Sequence, residues 1–264
     1  MKKRIYSIAL CAFSALILTT ANARAEYYPD NYYGSGILAA GLPNTGSSDV
    51  YDPDNRGYDV AGMTVNVVGN KLTVILNGEY FNTWANSSSS DLIFSPGSLF
   101  LSTTGWHPTG TGPNYETDGL SNSGTVWNYA VTLNGIMSNG LPEPKGTTSL
   151  YSIDPDGTVH TGMLRIDQAA LYTPANGQTD LATGEWSLDA IAETLTITID
   201  LPDYVLASIL QELGLQWTMS CANDVVAAGY PLASGSTPVP EPTTMLLFGA
   251  GLIGLAGVAR RRIK

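Results

Sequence analysis

Met63-Thr64-Val65-Asn66-Val67-Val68-Gly69-Asn70-Lys71-Leu72-Thr73-Val74-Ile75-Leu76 sets the fold class. Met63, Val65 and Val67 alternate with Thr64 and Asn66, and Leu72, Val74 and Leu76 alternate with Thr73 and Ile75. A period of two sends successive side chains to opposite faces of a strand, so each run presents one apolar face. Gly69-Asn70 between the runs is a two-residue loop, and glycine at its first position suits a type II′ hairpin turn.

The same period recurs outward from this hairpin. Leu195, Ile197, Ile199 and Leu201 alternate with Thr196, Thr198 and Asp200, and Trp186 and Leu188 share a face on the strand before. Further strands are predicted at Leu92 to Phe94, Leu99 to Ser102, Val126 to Leu133 and Leu215 to Cys221. One short helix is predicted from Asp203 to Leu213, with Asp203 as cap, Leu206, Ile209, Leu210 and Leu213 as its stripe, and Gly214 as its stop. Short strands punctuated by Gly, Asn, Asp, Ser and Pro predict a mainly β domain over residues 26–234, an antiparallel β-sandwich of jelly-roll type.

The two ends of the chain have a different character. Lys2, Lys3 and Arg4 precede the apolar run Ile5 to Leu18, and Ala23-Arg24-Ala25 follows as a small-x-small cleavage pattern. That order reads as a signal peptide over residues 1–25. At the other end, Gly235 to Pro242 is a Pro-rich linker, where proline fixes φ and removes amide donors. Residues 243–264 then read as a transmembrane helix with a basic tail. The charge-free stretch Thr243 to Ala259 spans roughly 25 Å at about 1.5 Å per residue, the short end for a bilayer. Arg260-Arg261-Arg262 stops transfer and keeps that end cytoplasmic, which leaves the middle of the chain outside.

Charge is divided the same way. Of 12 basic residues, only Arg56, Lys71, Lys145 and Arg165 lie between the two terminal segments, whereas all 23 acidic residues do, for a net charge of −19 there. Such a surface repels nucleic acid and anionic headgroups, and it favours solubility. Once the first 25 residues are removed, Cys221 is the one cysteine left, and its apolar neighbours predict burial.

Val239-Pro240-Glu241-Pro242, then Thr243 to Leu252, then Arg260-Arg261-Arg262 resembles the PEP-CTERM sorting signal, over residues 238–262. The resemblance implies that Pro240, Glu241 and Pro242, with Arg260, Arg261 and Arg262, form the sorting motif. It implies an exosortase as processing partner after signal peptidase, a transient stay in the inner membrane, and delivery to the cell surface or extracellular matrix, often beside exopolysaccharide. The segment Trp217 to Asp224 is similar to segments that precede the tail in other β-rich proteins of this kind, and no activity follows from it.

Within the domain, two acidic loops and a set of loop aromatics are the candidates for chemistry. Asp52-Pro53-Asp54-Asn55-Arg56-Gly57-Tyr58-Asp59 begins like an EF-hand loop, with glycine at the sixth position. Arg56 brings the wrong charge, and Met63 stands where the bidentate Glu belongs, so an EF-hand is excluded. A looser calcium loop through Asp52, Asp54 and Asp59 is the remaining candidate, and calcium is the one cofactor raised. Asp154-Pro155-Asp156-Gly157 reads as a turn. Trp106 and Tyr115, set among Gly, Pro and Thr, are the candidate carbohydrate residues, while Trp127 and Tyr129 read as core.

Catalytic signatures are absent from the sequence. His107 and His160 show no metal spacing, and there is no nucleophile elbow, P-loop or dinucleotide fingerprint. The expected function is therefore a non-enzymatic surface or matrix protein with a structural, adhesive or biofilm-associated role. A carbohydrate-binding module for exopolysaccharide is the alternative, and an envelope hydrolase the third reading.

Overall fold

A computed structural model describes residues 25–31, 34, 50, 57–88, 94–112, 115, 117–165, 167–209 and 211–232. The predicted signal peptide cleavage region up to residue 24, the PEP motif, the transmembrane helix and the Arg cluster lie outside the described residues, as do Asp52 and Asp54. Among the described residues, no helix is long and apolar enough to cross a membrane.

The predicted hairpin forms as read. β2 (Gly62–Val68) and β3 (Lys71–Asn77) pair antiparallel from Gly62↔Asn77 to Val68↔Lys71. Gly69 takes φ 63 while Asn70 keeps a negative φ, the pattern of a II′ turn. Met63, Val65, Leu72, Val74 and Leu76 are fully buried, and the intervening residues are not. Burying five such side chains away from water is the main local driving force, at about 1.5–3 kcal/mol each before entropy is counted.

Around it run β1 (Glu26–Pro29), β4 (Leu99–Ser102), β5 (Tyr129–Asn134), β8 (Lys145–Ser152), β11 (Ala182–Asp189), β12 (Thr194–Asp200), β13 (Glu212–Thr218) and β14 (Val225–Pro231). These ten strands form one antiparallel sheet in the order β1-β2-β3-β12-β11-β8-β5-β4-β13-β14. Its edge strands, β1 and β14, come into contact. The jelly-roll sandwich is thus corrected to a nearly closed, barrel-like sheet. A period of two reports one buried face and says nothing of whether that face meets a second sheet or the far side of its own. Here the ladder continues unbroken from β1 to β14, so the sheet buries its face by coiling.

Two small sheets sit outside it. β6 (Met137–Ser138) and β7 (Leu141–Pro142) make an exposed hairpin. β9 (Thr158–Thr161) and β10 (Ala169–Thr173) pair with each other and lie over the outer face of β4 and β5. That cover explains why all four residues of β4 are buried. Phe100, Ala130, Ala169 and Tyr172 form the apolar layer between. The Gln168 amide donates to Gln216 Oε1 at 2.8 Å, and the Gln216 amide donates to the Ala169 carbonyl at 2.9 Å. Each buried amide is thereby satisfied across the layers.

The helices differ from the sequence reading. α1 (Glu79–Ala85) was not predicted. It turns Tyr80, Phe81 and Trp84 into the core, where Phe81 meets Trp217 at 5.6 Å and Trp84 meets Trp186 at 6.3 Å between ring centroids. α2 spans Asp203–Ser208, and Ile209 is already extended. The predicted end at Leu213 is corrected: Leu213, Leu215 and Trp217 lie on β13. They satisfy a period of two as well as the helical stripe, and the sheet ladder wins. Gly214 is kept small by the chain beside it, since a Cβ there would stand 2.7 Å from the Gly105 carbonyl oxygen. Phe94 lies outside any strand, and β5 starts at Tyr129 with Val126 exposed.

Beyond β13 the chain turns sharply. Cys221 is fully buried, and Ala222 takes φ 53. Asp224, fully buried, accepts the Val60 amide proton at 2.6 Å through Oδ2 and so ties the last strand to the entry of β2.

Candidate functional site

The meeting of β1 and β14 leaves a seam, and the seam holds the candidate site. Among the described residues no hydrogen-bonded ladder joins the two edges. On the inner face of β14, Val226, Ala228 and Tyr230 enter the main core. On its outer face, Val225 and Ala227 are covered by Trp106 and Tyr115 from the long loop between β4 and β5. The outer face thus tapers in the order Val225, Ala227, Gly229. The taper opens a cavity of about 440 Å³ lined by Tyr28, Pro29 and Asn31 from the β1 side, Trp106 and Tyr115 from the loop, and Glu212 from β13. That volume falls within the roughly 300–1,000 Å³ of small-ligand sites.

Several contacts hold the loop in place. Trp106 and Tyr115 meet edge to face, with centroids 5.6 Å apart and planes at 71°, the arrangement ring quadrupoles favour. The Trp106 amide donates to Glu212 Oε1 at 2.9 Å. Buried Asp118 accepts the Thr109 amide proton at 3.1 Å, and the Asp118 amide donates to the Tyr115 carbonyl at 2.9 Å. Tyr115 itself sits at φ 46. A left-handed tyrosine is backbone strain that the surrounding bonds must sustain. The chain adopts it, and the ring thereby reaches Trp106 over the seam.

The cavity is electronegative. Glu212 projects over Gly229, where a Cβ would stand 2.1 Å from its carboxyl carbon. The Tyr28 hydroxyl is held well above the usual phenol range, chiefly by burial, then by the Glu26 carboxylate, with smaller contributions from Tyr230 and Glu212.

The predicted carbohydrate residues Trp106 and Tyr115 are thus brought together on one wall of one cavity. Glu212 was missed, because it lay inside the predicted helix. Its signal is the alternation Glu212-Leu213-Gly214-Leu215-Gln216-Trp217, which reads equally well as a strand opening on a carboxylate. Of the calcium candidates, Asp59 alone is described. It is exposed, and its carbonyl accepts the Tyr80 amide proton at 3.1 Å at the start of α1. Among the described residues, no group of three or more His, Cys, Asp or Glu side chains is placed to hold a metal ion.

The remaining candidates have local roles. Asp154 and Gly157 close a turn through a 3.0 Å bond, with the Asp156 amide donating to Asp154 Oδ1 at 2.8 Å. The turn passes from β8 to β9, which pair with other strands. His107 donates from Nε2 to the Thr104 carbonyl at 2.7 Å, and His160 Nε2 bonds Thr173 Oγ1 at 2.9 Å, so each ring is engaged by its own neighbourhood.

No curated protein and no solved structure matches the chain. Residues 238–262 match the PEP-CTERM protein-sorting motif. The chain therefore carries a PEP-CTERM sorting signal, which implies export, exosortase as the processing partner and sorting to the cell surface.

Proposed function

We propose that this is a non-enzymatic surface or matrix protein whose β domain holds a glycan in the seam cavity, contributing adhesion within an exopolysaccharide matrix. The observation that carries this reading is the Trp106–Tyr115 pair on the wall of the cavity, 5.6 Å between centroids. Aromatic rings offer flat apolar surface to the C–H face of a sugar, and nearby carboxylate, hydroxyl and amide groups take its hydroxyls. Sorting to the surface would deliver the site to such a ligand. On this route the chain is cut after Ala25, crosses the inner membrane, and is held there by residues 243–264 until an exosortase releases it.

The test is retention of the purified chain on a glycan array, compared with Trp106→Ala and Tyr115→Ala variants. Each variant is expected to lose about tenfold in affinity, equivalent to ~1.4 kcal/mol. The reading is wrong if both variants retain every glycan that the parent chain binds.

A further inference from the structure

We propose that the seam cavity selects its sugar by charge, taking an amine-bearing hexose in preference to N-acetylated or uronic-acid residues, with Glu212 as the specificity-determining side chain. This rests on the glycan reading above.

The first ground is where the carboxylate sits. Glu212 opens β13, lines the cavity, and is anchored by the Trp106 amide to Oε1 at 2.9 Å. Two glycines leave it that place. A Cβ on Gly229 would stand 2.1 Å from Oε1, and one on Gly105 would stand 3.1 Å from the same atom. The carboxylate is therefore fixed beside the aromatic pair, and not swung out on a free side chain.

The second ground is the absence of a counter-charge among the described residues. No Lys or Arg lines the cavity. Lys71 pairs with Asp200 at 3.8 Å on the outer face of β3 and β12. Lys145 opens β8, and Arg165 is buried, with Nε donating to the Asn223 carbonyl at 3.4 Å. The raised Tyr28 hydroxyl reports the same field, since both Glu26 and Glu212 contribute to it. Cleavage after Ala25 would set an α-ammonium on Glu26. That charge would offset the Glu26 carboxylate and leave Glu212 as the net charge facing the ligand.

Ligand chemistry follows from these groups. A carboxylate beside two aromatic rings favours an ammonium twice over, through a charge-assisted hydrogen bond and through the negative faces of the rings. A sugar carboxylate meets repulsion from Glu212, and no Lys or Arg among the residues lining the cavity offsets it. N-acetylation removes the positive charge and leaves only neutral hydrogen bonds.

The experiment compares glucosamine, N-acetylglucosamine and galacturonate oligomers of equal length on the purified chain, by calorimetry. Glucosamine oligomers are expected to bind at least tenfold tighter than the N-acetylated ones, and galacturonate oligomers weakest. Glu212→Gln should bring the first two within about threefold, while Trp106→Ala weakens both, the glucosamine oligomers somewhat more because they also lose a ring face. High salt should shrink the glucosamine preference in the parent chain, a readout that needs no variant. Equal or tighter binding of N-acetylglucosamine or galacturonate overturns the charge selection and leaves the glycan reading standing. Binding of none of the three by a chain that retains another array glycan overturns the charge selection alone, and failure to bind any glycan overturns both.

Discussion

Cys221 shows how far burial alone fixes a residue's chemistry. Desolvation pushes its thiol from 9.0 up to about 12, against two backbone hydrogen bonds that pull the other way. The thiolate is the reactive form, so the folded protein should resist alkylation at pH 8 and label fully in guanidinium, as mass spectrometry of iodoacetamide-treated chain would show. The sign of the linkage also follows. Between pH 9.0 and about 12 the unfolded chain gives up the proton that the folded chain keeps, so stability falls as pH rises through that window and is unaffected by this group below it. Burial of Cys221 was legible in its apolar neighbours. The loop position of Trp106 and Tyr115 was legible too, since bulky rings among Gly, Pro and Thr belong to no regular element, but their pairing was not. Glu212 was not legible as a site residue, because its role depends on which residues its strand faces across the seam, and no local pattern encodes that.

Elements were legible where one period dominated. β2, β3, β11 and β12 follow strict alternation and formed as read. The failures came where two periods coincide or where a signal is short. Leu206, Ile209 and Leu213 satisfy a helix, Leu213, Leu215 and Trp217 a strand, and only the ladders to β4 and β14 decide between them. α1 is two turns long and is held by Tyr80, Phe81 and Trp84 in the core rather than by propensity, so its sequence carries little helical signal. Glycines separate the local from the tertiary at this scale. Gly69 has nothing within 4 Å of a built Cβ, so Gly69→Ala costs only the left-handed backbone, about 1–2 kcal/mol. Gly97 stands where a Cβ would meet the Ala170 carbonyl oxygen at 2.5 Å and the Thr218 carbonyl oxygen closer still. Gly97→Ala must push β10 away from β13. Its chemical denaturation midpoint should fall well below that of Gly69→Ala, and a smaller loss at Gly97 would refute the packing described for the outer layer.

At the scale of the whole molecule, the sheet's closure was the least legible property, because register and coil belong to ten strands together. Strand directions alternate along the sheet, and the number of strands is even, so β1 and β14 run opposite ways where they meet. The beginning of β1 and the end of β14 therefore face the same pole of the barrel. Glu212, paired with Pro231, marks that pole and lines the seam cavity. On the export route proposed above, leader and tail would both leave the domain from this one pole, and only seven residues separate Leu232 from Pro240. Fully extended, the span from Leu232 to Pro240 is about 28 Å. A chain still held by its tail would stay within that reach of the bilayer, whose surface hinders the approach of a polymeric ligand, and release would remove that hindrance. Glycan capture by tail-bearing chain in vesicles should therefore be weaker than by the same chain after its tail is cut. Equal capture would show that the tether leaves the pole open. Removal of the tail would then act as an unmasking step: the cut that frees the protein from the cell would also switch on its grip on what lies outside.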